Sequence, residues 1–178
     1  QGQHALQAPH VPSDKLTGEI LLRYGDDSLP RALAWNSVPR SVADLAHLDR
    51  TDFIAFSRAF ARVNPGEKII QFHGFDSDRR KTNAAAESAA IVSAGHSQPT
   101  RELRNAVGCM NLKVDSATRL YGVDVKELGG TTNSVVHALH AMGYEHFIHL
   151  ELNLSLREQL LANAKKRKAD NNRRCLSN

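Results

Sequence analysis

A chain of 178 residues with 41% hydrophobic and 24% charged positions has the composition of one ordinary globular domain, and two cysteines are too few for a disulfide-built miniprotein. Nothing approaches a run of about eighteen apolar residues, which excludes a transmembrane segment. The formal net charge of +4 does not describe a nucleic-acid-binding face, because the six basic residues between Lys165 and Arg174 account for more than the whole excess. The expectation is a single catalytic domain over 1–178, monomeric, with a basic C-terminal tail from about 165 to 178 and no nucleic-acid partner. The chain begins at Gln1 and not at Met, as a chain does once a leader has been removed or left out. With the even cysteine pair, this suggests a secreted or periplasmic protein whose one disulfide joins Cys109 to Cys175.

His10 and Asp14 stand four residues apart in the turn-like segment APHVPSD, and a His and a carboxylate on one loop can bind a single divalent metal. A surface histidine beside an aspartate is the plainer alternative. Ala32–Asn36 is a short apolar run that ends in loop chemistry. Arg40, Asp44 and His47 then form a polar cluster before the next helix, where a guanidinium could grip a substrate carboxylate or a polarised carbonyl oxygen; the alternative is a solvated loop. Asp52–Val63 spaces Phe53, Phe56, Ala59, Phe60 and Val63 as an amphipathic helix, and Asn64, Pro65 and Gly66 stop it.

Lys68–Phe72 reads as a buried strand running into His73 and Gly74, where glycine leaves room for a ligand and Asp76 or Asp78 could orient a ligating imidazole. Ala89–Ala94 is a further strand, ending at Gly95 and His96. Pro99 opens a helix to Asn111, and 118–123 is a weak strand. Thr131 or Thr132 can cap the helix SVVHALHAM, which Gly143 ends. His137 and His140 on that helix have no neighbouring third ligand and read as surface or half-buried positions. Ser93 and Ser97 lack the setting of a serine nucleophile. The last strand is His146–Leu152 and the last helix Ser155–Lys166. Glu151, flanked by Leu150 and Leu152, shares its side-chain parity with His149; it is either part of an edge strand's polar face or a buried general base.

Strands alternating with helices imply an α/β fold, a three-layer αβα arrangement around a mostly parallel or mixed sheet. Ligands in such folds sit outside the carboxyl ends of the strands, so His73, His96 and Glu151 are expected to converge.

The order PH-x-x-x-D, strand-HG, GG…N…helix…G and strand-LEL-x-x-x-LR resembles the phage poly-gamma-glutamate hydrolases and the N-formylglutamate amidohydrolases, relatives of the zinc carboxypeptidases. The resemblance runs from about His10 to Leu160 as a pattern. It implies a carboxypeptidase-like fold and a zinc cofactor held by His10, Asp14 and His73, with Glu19 as the alternative carboxylate. Glu151 would be the base that takes a proton from water, and Arg157 and Asn133 would bind substrate. Apart from the resemblance, Arg40 or Arg157 is expected to stabilise an oxyanion or grip a substrate carboxylate. The implied reaction is hydrolysis of an amide or peptide bond in a carboxylate-bearing substrate: a glutamyl polymer, a cell-wall peptide or an N-acylated amino acid. A catalytically inactive binding module that keeps the pocket is the competing expectation.

Overall fold

The computed structural model describes residues 2–113 and 117–164. In chain order the elements are β1 (His4–Ala8), α1 (Thr17–Ser28), β2 (Ala32–Trp35), α2 (Asp52–Val63), β3 (Lys68–Phe75), α3 (Asn83–Ala86), β4 (Ala90–Ser93), α4 (Arg101–Lys113), β5 (Thr118–Leu120), α5 (Ser134–His140), β6 (Phe147–Asn153) and α6 (Leu154–Ala164). The strands form one six-stranded sheet in the order β2-β1-β3-β6-β4-β5. β2, β1, β3 and β6 run parallel, β4 runs antiparallel to β6, and β5 is parallel to β4. The fold is therefore α/β, a mixed central sheet between two helical layers.

The central strands are buried on both faces, which is why β3 and β6 read as nearly continuous apolar runs. One face packs Leu6, Ile70, Phe72, Val92, Ile148, Leu150 and Leu152 with Ile20 and Leu21 of α1, Leu103 and Val107 of α4 and Leu156 of α6. The opposite face packs Ala5, Ile69 and Phe147 with Phe53, Ile54 and Phe60 of α2 and Val135, Val136 and Leu139 of α5. Helix α2 has the bounds its sequence predicts. Thr51 caps it, accepting from the Ile54 amide at 3.2 Å, and the backbone leaves helical geometry at Asn64.

Two expectations are corrected. The cap of α5 is Asn133, which accepts from the Val135 amide at 2.9 Å, and not Thr131 or Thr132. His96 does not join the carboxyl ends of β3 and β6. Because β4 is antiparallel to β6, with Ser93 opposite His149, the chain leaves β4 at the other end of the sheet. Cys175 and the basic tail lie outside the described residues, as does the proposed disulfide with them. Among the described residues no helix is long and apolar enough to cross a membrane.

The α2–α5 face carries a polar seam through its apolar packing. The Ser57 hydroxyl donates to the Phe53 carbonyl at 2.8 Å and accepts from Gln7 Nε2 at 2.8 Å. Gln7 Oε1 accepts from Gln71 Nε2 at 3.0 Å, and Gln71 Oε1 accepts from Asn133 Nδ2 at 2.6 Å. Gln7, Ser57 and Gln71 are fully buried, so each polar atom needs its partner. Gln7→Leu leaves the Gln71 amide without an acceptor and should cost about 1–3 kcal/mol. Urea unfolding should show this as a lower midpoint with an unchanged slope.

Candidate metal centre and the residues around it

The carboxyl ends of β1, β3 and β6 gather most of the chemistry. Strand order reverses around β1, whose neighbours are β2 on one side and β3 on the other; ligand crevices form at such switch points. After β1 the chain makes one helical turn, with the Asp14 amide donating to the His10 carbonyl at 2.7 Å, so that both side chains point the same way. His73 lies near the end of β3, opposite Glu151 in the register with β6. Gln71 lies opposite His149. With a side-chain period of two, Gln71, His73, His149 and Glu151 all rise from one face of the sheet.

Two triads that could hold a metal share His73. One is His10, Asp14 and His73; the other is His73, His149 and Glu151; in each, ligand atoms lie within 4.8 Å of one another and all the residues are buried. Asp14 Oδ2 is 3.6 Å from His10 Nδ1 and 3.7 Å from His73 Nδ1. Zinc bonds of about 2.0–2.1 Å would put tetrahedral neighbours about 3.3–3.4 Å apart, so the first triad has the span for such an ion.

Hydrogen bonds set both imidazoles for that role. His10 Nε2–H donates to Asp44 Oδ1 at 2.8 Å, and His10 Nδ1 accepts from the Arg40 guanidinium. His73 Nε2–H donates to Gln71 Oε1 at 2.8 Å, which leaves Nδ1 unprotonated toward Asp14. Asp14 Oδ2 also accepts from the Gly74 amide at 3.0 Å, and Arg40 stands 3.4 Å from Asp14 Oδ1. Asp44 accepts from His47 Nδ1 at 3.0 Å. Burial works against ionising Asp44, but its hydrogen bonds from His47 and His10 hold the carboxyl below its ordinary value.

His149 stacks on His73 with ring centroids 4.4 Å apart. Its Nδ1 is buried with no hydrogen-bond partner, and so is Glu151 Oε2. His149 Nε2 lies 3.9 Å from Glu151 Oε1. Burial pushes His149 down to about 4, with the nearby His10 charge adding, and pushes Glu151 up to about 8, with Asp14 adding. His73 is held well below its ordinary value by burial and then by the charge of His149.

The remaining sequence candidates fall as follows. Glu19 is exposed on α1 and belongs to neither triad. Asp76 caps the turn at Ser77–Arg79 and pairs with Arg79 at 3.3 Å; the partner of His73 is Gln71, not Asp76 or Asp78. The room beside Gly74 is filled by the Arg157 guanidinium, which a Cβ there would strike. Arg157 is buried and donates to the main-chain carbonyls of Lys15, Phe75 and Asn153, tying the loop after β1 to the ends of β3 and β6. Asn133 is buried between Gln71 and the first turn of α5. Sequence reasoning did not assign Gln7 or Gln71 to the site, and named His149 only as sharing the strand face of Glu151. The signal was present: Gln71 interrupts an apolar strand two residues before His73, and Gln7 does the same in β1.

No protein family, curated protein or solved structure matches the chain.

Glu127 anchors the segment that follows β3. It accepts from the Lys81 and Thr82 amides and from the Thr82 hydroxyl, the last at 2.8 Å. The Lys81 amide leads in lowering the Glu127 pKa, against a smaller opposing effect of burial. A carboxyl with a depressed folded-state pKa contributes stability above its unfolded value and loses it as pH falls. Glu127→Gln should therefore be less stable than the parent at neutral pH. The gap should narrow as the pH is taken below 4.5, which thermal unfolding across pH would reveal.

Proposed function

We propose that the chain is a metal-dependent hydrolase of amide or peptide bonds, with His10, Asp14 and His73 holding a zinc-class cation and Glu151 serving as general base. What carries the reading is one carboxylate and two pre-oriented imidazole nitrogens beside a second, buried carboxylate with an unpartnered oxygen. When bound, such a cation supplies Lewis acidity, polarising a carbonyl and lowering the pKa of water to about 7. The donor set of two imidazoles and one carboxylate suits zinc better than magnesium or calcium.

Glu151 accepts the proton of the attacking water and returns it to the leaving nitrogen. It stands opposite His73 in the sheet, beside the first triad, although it also belongs to the second. Burial disfavours its charged form, and the Arg40, Arg80 and Arg157 charges oppose that effect. Arg40 is 43% exposed and rests on His10 and Asp14. With those donors engaged by a cation, Arg40 turns to a substrate carboxylate or the developing oxyanion. Arg157 and Asn133 serve as positioning residues, the first for the loop after β1 and the second for Gln71 and, through it, His73. The substrate class is an amide bearing a carboxylate: a glutamyl polymer, a cell-wall peptide or an N-acylated amino acid met outside the cytoplasm.

One observation favours a second reading, a binding module without turnover: the Arg40 guanidinium already satisfies His10 Nδ1 and lies against Asp14. Zinc titration with turnover assays on glutamyl amides separates the two. Glu151→Gln preserves shape and removes basicity, so zinc binding should survive while turnover falls about 10²–10⁴-fold. Wild-type turnover in that variant would sink the mechanism. Arg40→Gln should leave zinc binding intact or tighter, since a competing cation is gone. It should also raise KM for a carboxylate substrate by about tenfold, the loss of a charge-assisted pair.

A further inference from the structure

We propose that His96, His140 and Glu145 form a second binding site for a zinc-class cation, at the end of the sheet opposite His10, Asp14 and His73. Their ligand atoms lie within 4.8 Å of one another, although they come from three separate places: just after β4, the last residue of α5 and the turn before β6. His96 Nε2 lies 3.8 Å from Glu145 Oε2, and the two imidazole rings are 5.2 Å apart between centroids. The antiparallel direction of β4 delivers His96 to this end. Gly95 makes the approach possible: at φ +85° and pressed against Val136, it holds the strand end on α5, and no larger residue fits there.

A cation here would require one proton shift on His96. His140 is half-buried at the last turn of α5, with its ring turned toward that of His96. His96 Nδ1 accepts the Gln98 amide at 3.3 Å, which puts its proton on Nε2, facing Glu145. A cation displaces that Nε2 proton; Nδ1 takes up a proton in turn, and the long contact to Gln98 is surrendered. His96 and Glu145 are 36% and 61% exposed, so further positions around the cation are open to water. Two imidazoles and one carboxylate select zinc, nickel or copper over magnesium or calcium. The site is independent of the hydrolase reading and shares no residue with either of the other two triads.

The test is zinc titration of the full chain by calorimetry, with amide spectra recorded alongside. Glu145→Gln and His140→Ala should each weaken one zinc equivalent at least about tenfold, since even changes in the outer shell cost 10–100-fold. The Gln98 amide signal should move on zinc addition in the parent and stay still in both variants, while turnover is unchanged. Glu145 is exposed, so its variant does not put folding at stake. A parent that binds a single equivalent, lost in Glu145→Gln and kept in Asp14→Asn, would support this site while removing the other. Equal stoichiometry and affinity in the parent, Glu145→Gln and His140→Ala, or a Gln98 signal indifferent to zinc, would overturn it.

Discussion

The arrangement of the buried site depends on the direction of one hydrogen-bond chain. Its two ends are main-chain groups whose polarity is not negotiable: the Phe53 carbonyl, which can only accept, and the Val135 amide, which can only donate. Ser57, Gln7, Gln71 and Asn133 link them, and each amide can satisfy its neighbours in only one orientation. Gln71 must therefore present Oε1 to His73, whose proton must sit on Nε2. The free lone pair of Nδ1 toward Asp14 is thus decided by the packing of α2 and α5 on the sheet. His10 has the same tautomer by another route, its Nε2–H donating to the Asp44 carboxylate, but its Nδ1 lone pair is taken by the Arg40 guanidinium.

Burial then drives the members of the cluster toward neutrality. His73 and His149 resist protonation, and Glu151 resists ionisation. With the unpartnered atoms on His149 and Glu151, this describes a dry cluster that keeps polar atoms without a partner. The nearest remedy within the chain is Arg40, which leans in from a partly exposed loop, while the buried Arg157 is committed to carbonyls. A cation between such groups reverses the local preference, favouring the charged carboxylate and the neutral ring together.

What could be read from the sequence follows from how local each signal is. Helix α2 announces both ends, with Thr51 before it and Asn64-Pro65-Gly66 after it. β3 and β6 show as apolar runs because both faces are covered. α1 carries no such mark: it starts at a left-handed Leu16 without a capping side chain and contains Gly18 and Gly25. Strand direction is not written locally at all. The segment Ala90–Ser93 looks the same whichever way it runs, so His96 was expected at the wrong end of the sheet. Asn133 stands next to two other residues able to cap, and only the distant Gln71 selects it. His10, Asp14, His73 and Glu151 were legible because polar groups beside apolar strand ends need partners. The amides behind them stood out only as polar interruptions of apolar strands, because a glutamine within a strand does not say which partner it meets across 64 residues.

Helix α5 is short, and its two ends have different company. Asn133 caps the start and touches the amide chain behind His73, whereas His140 closes the end beside His96 and Glu145. Seven residues of helix span about 10 Å at 1.5 Å per residue. That length is well beyond the 3.5–4 Å or so over which two ions share a ligand in a dinuclear centre. Cations held at the two imidazole groups would therefore be separate mononuclear ions. Only the asparagine behind His73 and the imidazole beside His96 belong to this helix, so a shift of α5 along the sheet would move the support of one group and a member of the other.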